Sequence, residues 1–229
     1  MIITHFPNTL GGFPFGNPKL MFFFLFGPYP FSLLKFKNHY IILFMSETLI
    51  ITQEEKDFLD ASIRRVPDFP RPGILFYDIT SILTKPDAFK FCIDKMVEYY
   101  KETKIDAVAG VESRGFVFAA PLAEKLGIPL ILIRKKGKLP GNTYGCKYSL
   151  EYGTAEIEVH KADIKAGSKI LVIDDLIATG GTLKAARNVL EQGGATVSEF
   201  FGIVGLPELN YKEVLEPTPV TTLIDFAGA

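Results

Sequence analysis

The chain has 229 residues and a formal net charge of -1, enough for one α/β domain with a sizeable core, or for a domain with an appendage. Charge this close to neutral gives no global argument for a nucleic-acid partner. Two cysteines, Cys92 and Cys146, lack metal-ligand spacing and a disulfide pattern, which suits a reducing compartment; Cys92 reads as packed and Cys146 as a loop residue. His5, His39 and His160 are scattered, so neither a histidine metal site nor a histidine-based triad is expected.

Composition changes near Met45. Residues 1–44 hold ten of the twenty phenylalanines, no acidic residue, and only Lys19, Lys35 and Lys37 as basic ones. The apolar run Leu20–Leu34 is interrupted by Gly27, Pro28 and Pro30, and a spanning helix needs about 20 apolar residues. Secretory and transit signatures are also unclear, since neither a positive segment before the run nor small residues after it stand out, and Arg and Ser are scarce. Residues 1–44 therefore read as an extension outside the folded domain, 45–229, with Met45 a candidate working start and an organelle or membrane address as the alternative.

From Met45 the sequence becomes ordinary. Thr52-Gln53-Glu54-Glu55 resembles a capping box, and a helix is expected over 52–66, ended by Pro67. Prolines make Asp68–Gly73 a rigid, irregular lead-in to the short apolar stretch Ile74–Ile79. Pro86-Asp87 opens a helix whose apolar positions Phe89, Ile93, Met96, Val97 and Tyr100 recur at helical spacing. The pattern then alternates: a strand over Ile105–Val111, a helix over Phe116–Leu126 closed by Gly127, and a strand over Leu130–Ile133. A strand over Ile170–Ile173, a helix over Thr182–Gln192, and strands over Thr196–Val204 and Val220–Ile224 complete it. Short apolar strands alternating with helices predict an α/β fold, a mostly parallel sheet covered on both faces. Lys135–His160 departs from this and reads as a mobile loop leading into an exposed hairpin strand, with Ile157 and Val159 alternating with charges.

The chemistry concentrates in Ile170–Leu183, ILVIDDLIATGGTL. Ligands of open parallel sheets gather outside the carboxyl ends of strands, where Asp174-Asp175 is placed. Ala178-Thr179-Gly180-Gly181-Thr182 then runs into a helix. Glycines let backbone N–H groups approach an anion, the helix N-terminus adds partial positive charge, and Thr179 and Thr182 add hydroxyls. A phosphate fits the loop, and the carboxylates can accept from vicinal hydroxyls. Together they describe a phosphorylated ribose. A mere strand–helix turn would not need two adjacent carboxylates, which repel each other. The segment carries neither GxxxxGK[ST] nor GxGxxG.

ILVIDDLIATGGTL resembles the phosphoribosyl-diphosphate (PRPP) motif of type I phosphoribosyltransferases. PGILFYDIT at 72–80, VESRGFVFAAPLA at 111–123, IRKKGKLPG at 133–141 and YSLEYGTAEIEVH at 148–160 resemble the adenine-specific branch of that family. The resemblance extends over nearly all of 46–229 and leaves out 1–44. It implies the type I phosphoribosyltransferase fold: a central, mostly parallel sheet flanked by helices, with a small hood and a flexible catalytic loop.

The resemblance also implies roles. Ser113 and Arg114 would hold diphosphate beside a non-proline cis peptide at Glu112–Ser113; alone, Ser113 could simply cap a helix. Arg134, Lys135 and Lys138, which alone read as a solvated basic run, become diphosphate ligands on an arm that reaches across a dimer interface. Glu151 would lie over the nucleotide, hydrogen-bonding the purine at N7, with Tyr152 closing the loop; Glu151 and Arg114 are thus the implied catalytic residues. Leu75, Phe76 and Tyr77 match the adenine-reading segment. Many relatives carry Arg where Tyr77 stands, a departure expected to alter packing rather than specificity. Leu206 matches an apolar position on the base's other face, and plain core is the alternative for all four.

The implied reaction is transfer of phosphoribose from PRPP to adenine, giving AMP and diphosphate, with Mg²⁺ bound mainly through substrate and no protein metal site. A cytoplasmic homodimer without nucleic-acid or membrane partners is expected. Rivals are a transferase for a 6-oxopurine or orotate, disfavoured by Ala178 where oxopurine enzymes usually carry Asp, and a non-catalytic PRPP-sensing regulator. The regulator would need a DNA-reading helix that 1–44 does not offer.

Overall fold

The computed structural model describes residues 31–36, 39–44, 49–149 and 154–227, and the chain divides into two units, Met1–Thr48 and Leu49–Ala229. In the first unit, β1 (Phe31–Phe36) and β2 (His39–Phe44) form an antiparallel hairpin, with Phe31 opposite Phe44 and Phe36 opposite His39. Their aromatic and β-branched content suits strands.

The second unit opens with α1 (Gln53–Ser62), started by the expected capping box. The Thr52 hydroxyl accepts from the Glu55 N–H at 3.2 Å, and the Glu55 carboxylate accepts from the Thr52 N–H at 2.9 Å. The helix is shorter than the predicted 52–66. Ile63 is already extended, and Arg64–Pro67 forms β3, antiparallel to β4 (Leu75–Asp78) in a separate two-stranded ribbon. Val66 precedes a proline, which pushes it out of helical space, and the backbone of 64–67 finds its partners in 75–78.

Beyond the one-turn α2 (Thr80–Leu83) comes α3 (Pro86–Tyr100), with Pro86 in its first turn and Ala88, Cys92, Ile93, Met96 and Tyr100 buried along one side. Cys92 is packed as expected, and burial pushes its thiol up to about 12. β5 (Ala107–Val111), α4 (Gly115–Leu126) and β6 (Leu130–Lys135) alternate as the sequence predicts. The loop and exposed strand expected over Lys135–His160 are instead an antiparallel pair, β7 (Thr143–Ser149) and β8 (Thr154–His160): Cys146 is a strand residue opposite Ile157, and Ile157, Glu158 and Val159 are buried. After these come β9 (Lys169–Ile177), α5 (Gly181–Glu191), β10 (Thr196–Gly205), α6 (Tyr211–Leu215) and β11 (Val220–Asp225).

The main sheet has the order β11-β10-β9-β5-β6-β8-β7. Its first five strands are mutually parallel, and β8 and β7 add an antiparallel edge. Successive residues of the central strands feed opposite faces. Val108, Leu171 and Ile173 join the core under α3 and α4, while Ala107, Ala109, Ile170 and Val172 join the one under α5. Burial on both faces is why these strands are continuously apolar. Among the described residues no helix is long and apolar enough to cross a membrane.

Candidate active site

β5 and β9 are parallel neighbours, but β5 continues through α4 to β6 on one side and β9 through α5 to β10 on the other. Connections that diverge this way open a crevice at the carboxyl ends of the two strands. β9 is longer than the predicted Ile170–Ile173. Its pairing with β5 stops at Gly110 opposite Ile173, whereas pairing with β10 runs on to Ile177 opposite Gly205. Asp174 and Asp175 are therefore strand residues, standing just past the point where pairing with β5 stops.

The turn after β5 meets them there. The Glu112–Ser113 peptide is cis, as the resemblance implied. Ser113 is exposed, and the Arg114 guanidinium pairs through Nε with the buried Asp175 carboxylate. Burial opposes Arg114's charge, but Asp175, Asp174 and Asp78 of β4 outweigh it and raise its pKa. Asp174 goes the other way from an ordinary carboxyl: burial, then the adjacent Asp175 carboxylate, hold its pKa well above the usual range. Its Oδ1 accepts from the Asp175 N–H at 2.9 Å. Gly115 makes the approach possible, because a Cβ there would lie 2.7 Å from the Ile173 carbonyl oxygen and 3.3 Å from the Asp174 Cα.

Behind the carboxylates, Ala178, Thr179 and Gly180 bend into α5. Gly180 precedes the helix with φ of 79° and offers no side-chain cap, so the first helical N–H groups are not capped from that position. A small cavity lies here, lined by Asp174 and residues 176–183. Thr179 is exposed, and Ala178, Gly181 and Thr182 are half-buried. Uncapped N–H groups at a helix N-terminus form an anion site.

The basic cluster spans the end of β6 and the turn after it. Arg134 is half-buried and bonds Glu112 through Nε at 3.3 Å, while Glu112 also accepts the Lys135 N–H at 2.7 Å. Burial raises the Glu112 carboxyl, yet these donors win and its pKa is lowered. Lys135 and Lys138 are exposed, and neither makes an ion pair with a carboxylate among the described residues. Two carboxylates shaping this region, Glu112 and Glu158, escaped the sequence reading. Glu112 could have been found as the one acid in the turn facing a basic strand end. Glu158 gave no such signal, because it alternates with Ile157 and Val159 as a solvent-facing charge would, yet it is 2 % exposed.

In the ribbon, Leu75 and Phe76 are half-buried, and Phe76 meets Phe69 edge-to-face at 5.1 Å. Tyr77 is buried, its ring stacked on Phe226 at 4.4 Å, with Arg65 5.8 Å from its centre. Its side chain thus packs in the core, the alternative already open for it. Leu206 follows β10, half-buried against the same core, and its N–H bonds the Ile177 carbonyl at 2.9 Å. Glu151 and Tyr152 lie outside the described residues. Among the described residues no group of three or more His, Cys, Asp or Glu side chains is placed to hold a metal ion.

A parallel sheet with a phosphate-ready helix N-terminus behind two strand-end carboxylates defines the class, a phosphoribosyltransferase. The family model described as phosphoribosyl transferase domain matches residues 78–205. The adenine phosphoribosyltransferase of Treponema denticola is 66% identical over 168 residues, which cover 73% of this chain and 88% of that protein. Among solved structures, the adenine phosphoribosyltransferase of Thermoanaerobacter pseudethanolicus aligns at a TM-score of 0.71 and 38% identity, covering 74% of this chain and 99% of that one. The Saccharomyces cerevisiae enzyme, solved with an imino-altritol bisphosphate and adenine, aligns at 0.69 and 39%, covering 73% and 97%. The chain belongs to the adenine phosphoribosyltransferase family.

Proposed function

We propose that this protein transfers the phosphoribosyl group of PRPP to adenine, giving AMP and diphosphate in purine salvage. The observation that carries this reading is the meeting, at one switch point, of the uncapped start of α5, the Asp174-Asp175 pair and Arg114. In it the N–H groups and hydroxyls of 178–182 hold the 5-phosphate, and Asp174 accepts from the ribose hydroxyls. Asp175 fixes Arg114, which with Ser113, Arg134, Lys135 and Lys138 faces the diphosphate. The backbone of Leu75, Phe76 and Tyr77 reads the adenine edge, and Phe76 and Leu206 pack on its faces.

N9 of adenine attacks C1 of the ribose as the diphosphate oxygen departs with its electron pair. Glu151 hydrogen-bonds the base at N7 and accepts the ring proton the base gives up as N9 bonds to C1, while Tyr152 closes the loop and excludes water. The residues of the crevice fit Mg²⁺ carried on PRPP: acceptors stand where the ribose hydroxyls come, and cationic groups stand where the diphosphate comes. When bound, the ion neutralises the leaving group. A cytoplasmic homodimer, with the basic arm completing the partner's site, is part of the same reading, as is a catalytic domain confined to 45–229.

The test is turnover with PRPP, Mg²⁺ and each purine base separately. AMP formation from adenine is expected, and turnover with hypoxanthine but not adenine overturns the specificity.

A further inference from the structure

The turn after β6 owes its shape to a carboxylate to which the reaction above gives no role. Glu158 Oε1 accepts the N–H groups of three consecutive residues, Gly137 at 2.9 Å and Lys138 and Leu139 at 3.0 Å. Consecutive amides converging on one point form a nest that attracts anions, and here the chain's own carboxylate fills it. The other oxygen lies 3.4 Å from the Thr143 hydroxyl and 3.5 Å from Lys136 Nζ. Lys136 also reaches Glu156 at 3.4 Å. At the near end of the turn, Glu112 holds the Lys135 N–H. The turn is thus clamped by two carboxylates. Lys136 is drawn back onto β8, while Lys135 and Lys138 remain exposed.

We propose that Glu158 is a positioning residue for diphosphate: by organising the backbone of 137–139 it sets where Lys138 stands relative to Lys135. The inference rests on reading this turn as the diphosphate site. A charged carboxylate is required for full effect, since burial opposes the ionised form and the three amides and Lys136 offset that cost.

The experiment compares the full chain with Glu158→Ala, Glu158→Asp and Glu158→Gln, reading kcat, the KM of PRPP and of adenine, and AMP affinity by calorimetry. Gln keeps an oxygen for the three amides, Asp draws it back by one methylene, and Ala removes it. Glu158→Ala and Glu158→Asp are expected to raise the PRPP KM by about tenfold, the size of one lost charge-assisted contact. AMP affinity should stay within about threefold, and Glu158→Gln should recover most of the PRPP KM. Should Glu158→Ala fail to fold, Glu158→Asp carries the same expectation. An unchanged PRPP KM in an active background overturns the inference alone, as does a parallel loss of PRPP and AMP binding. A parent chain without PRPP turnover overturns both the inference and the reading beneath it.

Discussion

Arg114 and Asp175, 61 residues apart in sequence, form an ion pair that joins the turn after β5 to β9, with Asp175 buried and Arg114 half-exposed. The pair holds one carboxylate of the Asp174-Asp175 couple and aims a cation at the crevice. Arg114→Ala leaves both carboxylates uncompensated. The expected result is a rise in PRPP KM of about tenfold or more. Stability should fall by about 1–2 kcal/mol, reduced from the buried-pair range because Arg114 is half in water. Steady-state kinetics and urea unfolding check the two parts, and an unchanged KM would remove Arg114 from the site.

Gly115 is expected to tolerate no side chain. A Cβ would press on the Ile173 carbonyl oxygen and the Asp174 Cα, both backbone. Gly115→Ala should lower stability by about 1–3 kcal/mol and weaken PRPP binding as the strand end shifts. Thermal melting together with PRPP titration reads this, and a variant with parental melting and affinity would refute it.

The pH dependence of Asp174 has an unusual sign. Its folded pKa is raised by burial and by Asp175, so its stabilising contribution is complete below the unfolded value and is lost as pH rises through the folded one. Glu112 and Glu158 are lowered, so theirs is present above the ordinary 4.5 and lost as pH falls through the folded values. Asp174→Asn should therefore match the parent's melting at acid pH and exceed it at neutral pH, while losing activity. Identical melting curves at all pH values would contradict the assignment.

Glu151→Gln should lower kcat by about 10²–10⁴-fold, the usual worth of a positioned acid or base, with PRPP binding retained. Binding measured by calorimetry separates the two effects. Loss of PRPP binding would refute the role given to Glu151.

Removal of residues 1–44 should leave kcat and both KM values unchanged. An inactive truncated chain, assayed with adenine and PRPP, would show that catalysis depends on the extension.

Local signals read well in this sequence. The Thr52–Glu55 box, the Pro86 start and the Gly-rich entry to α5 each depend on neighbours a few residues away, and each stands where expected. What stayed hidden depends on distant partners. The helix predicted over 52–66 ends at Ser62 because 64–67 pairs with 75–78. β9 outruns its predicted end because β10 keeps pairing after β5 stops. Tyr77 is packed by Phe226, far along the chain, so a local match to a base-reading segment could not tell core from site. Glu158 misled for the same reason, since its three amide donors come from a turn about 20 residues earlier.

The adjacency of β5 and β9 also bears on the protein's birth. A chain emerging from the ribosome completes β5, α4 and β6 well before β9 exists, so one long edge of β5 waits without its neighbour. Parallel pairing across such a separation is intrinsically slow and leaves apolar edges open meanwhile. The crevice at that seam can close only after translation has passed β9, so the substrate site takes shape well after β5 itself has been made.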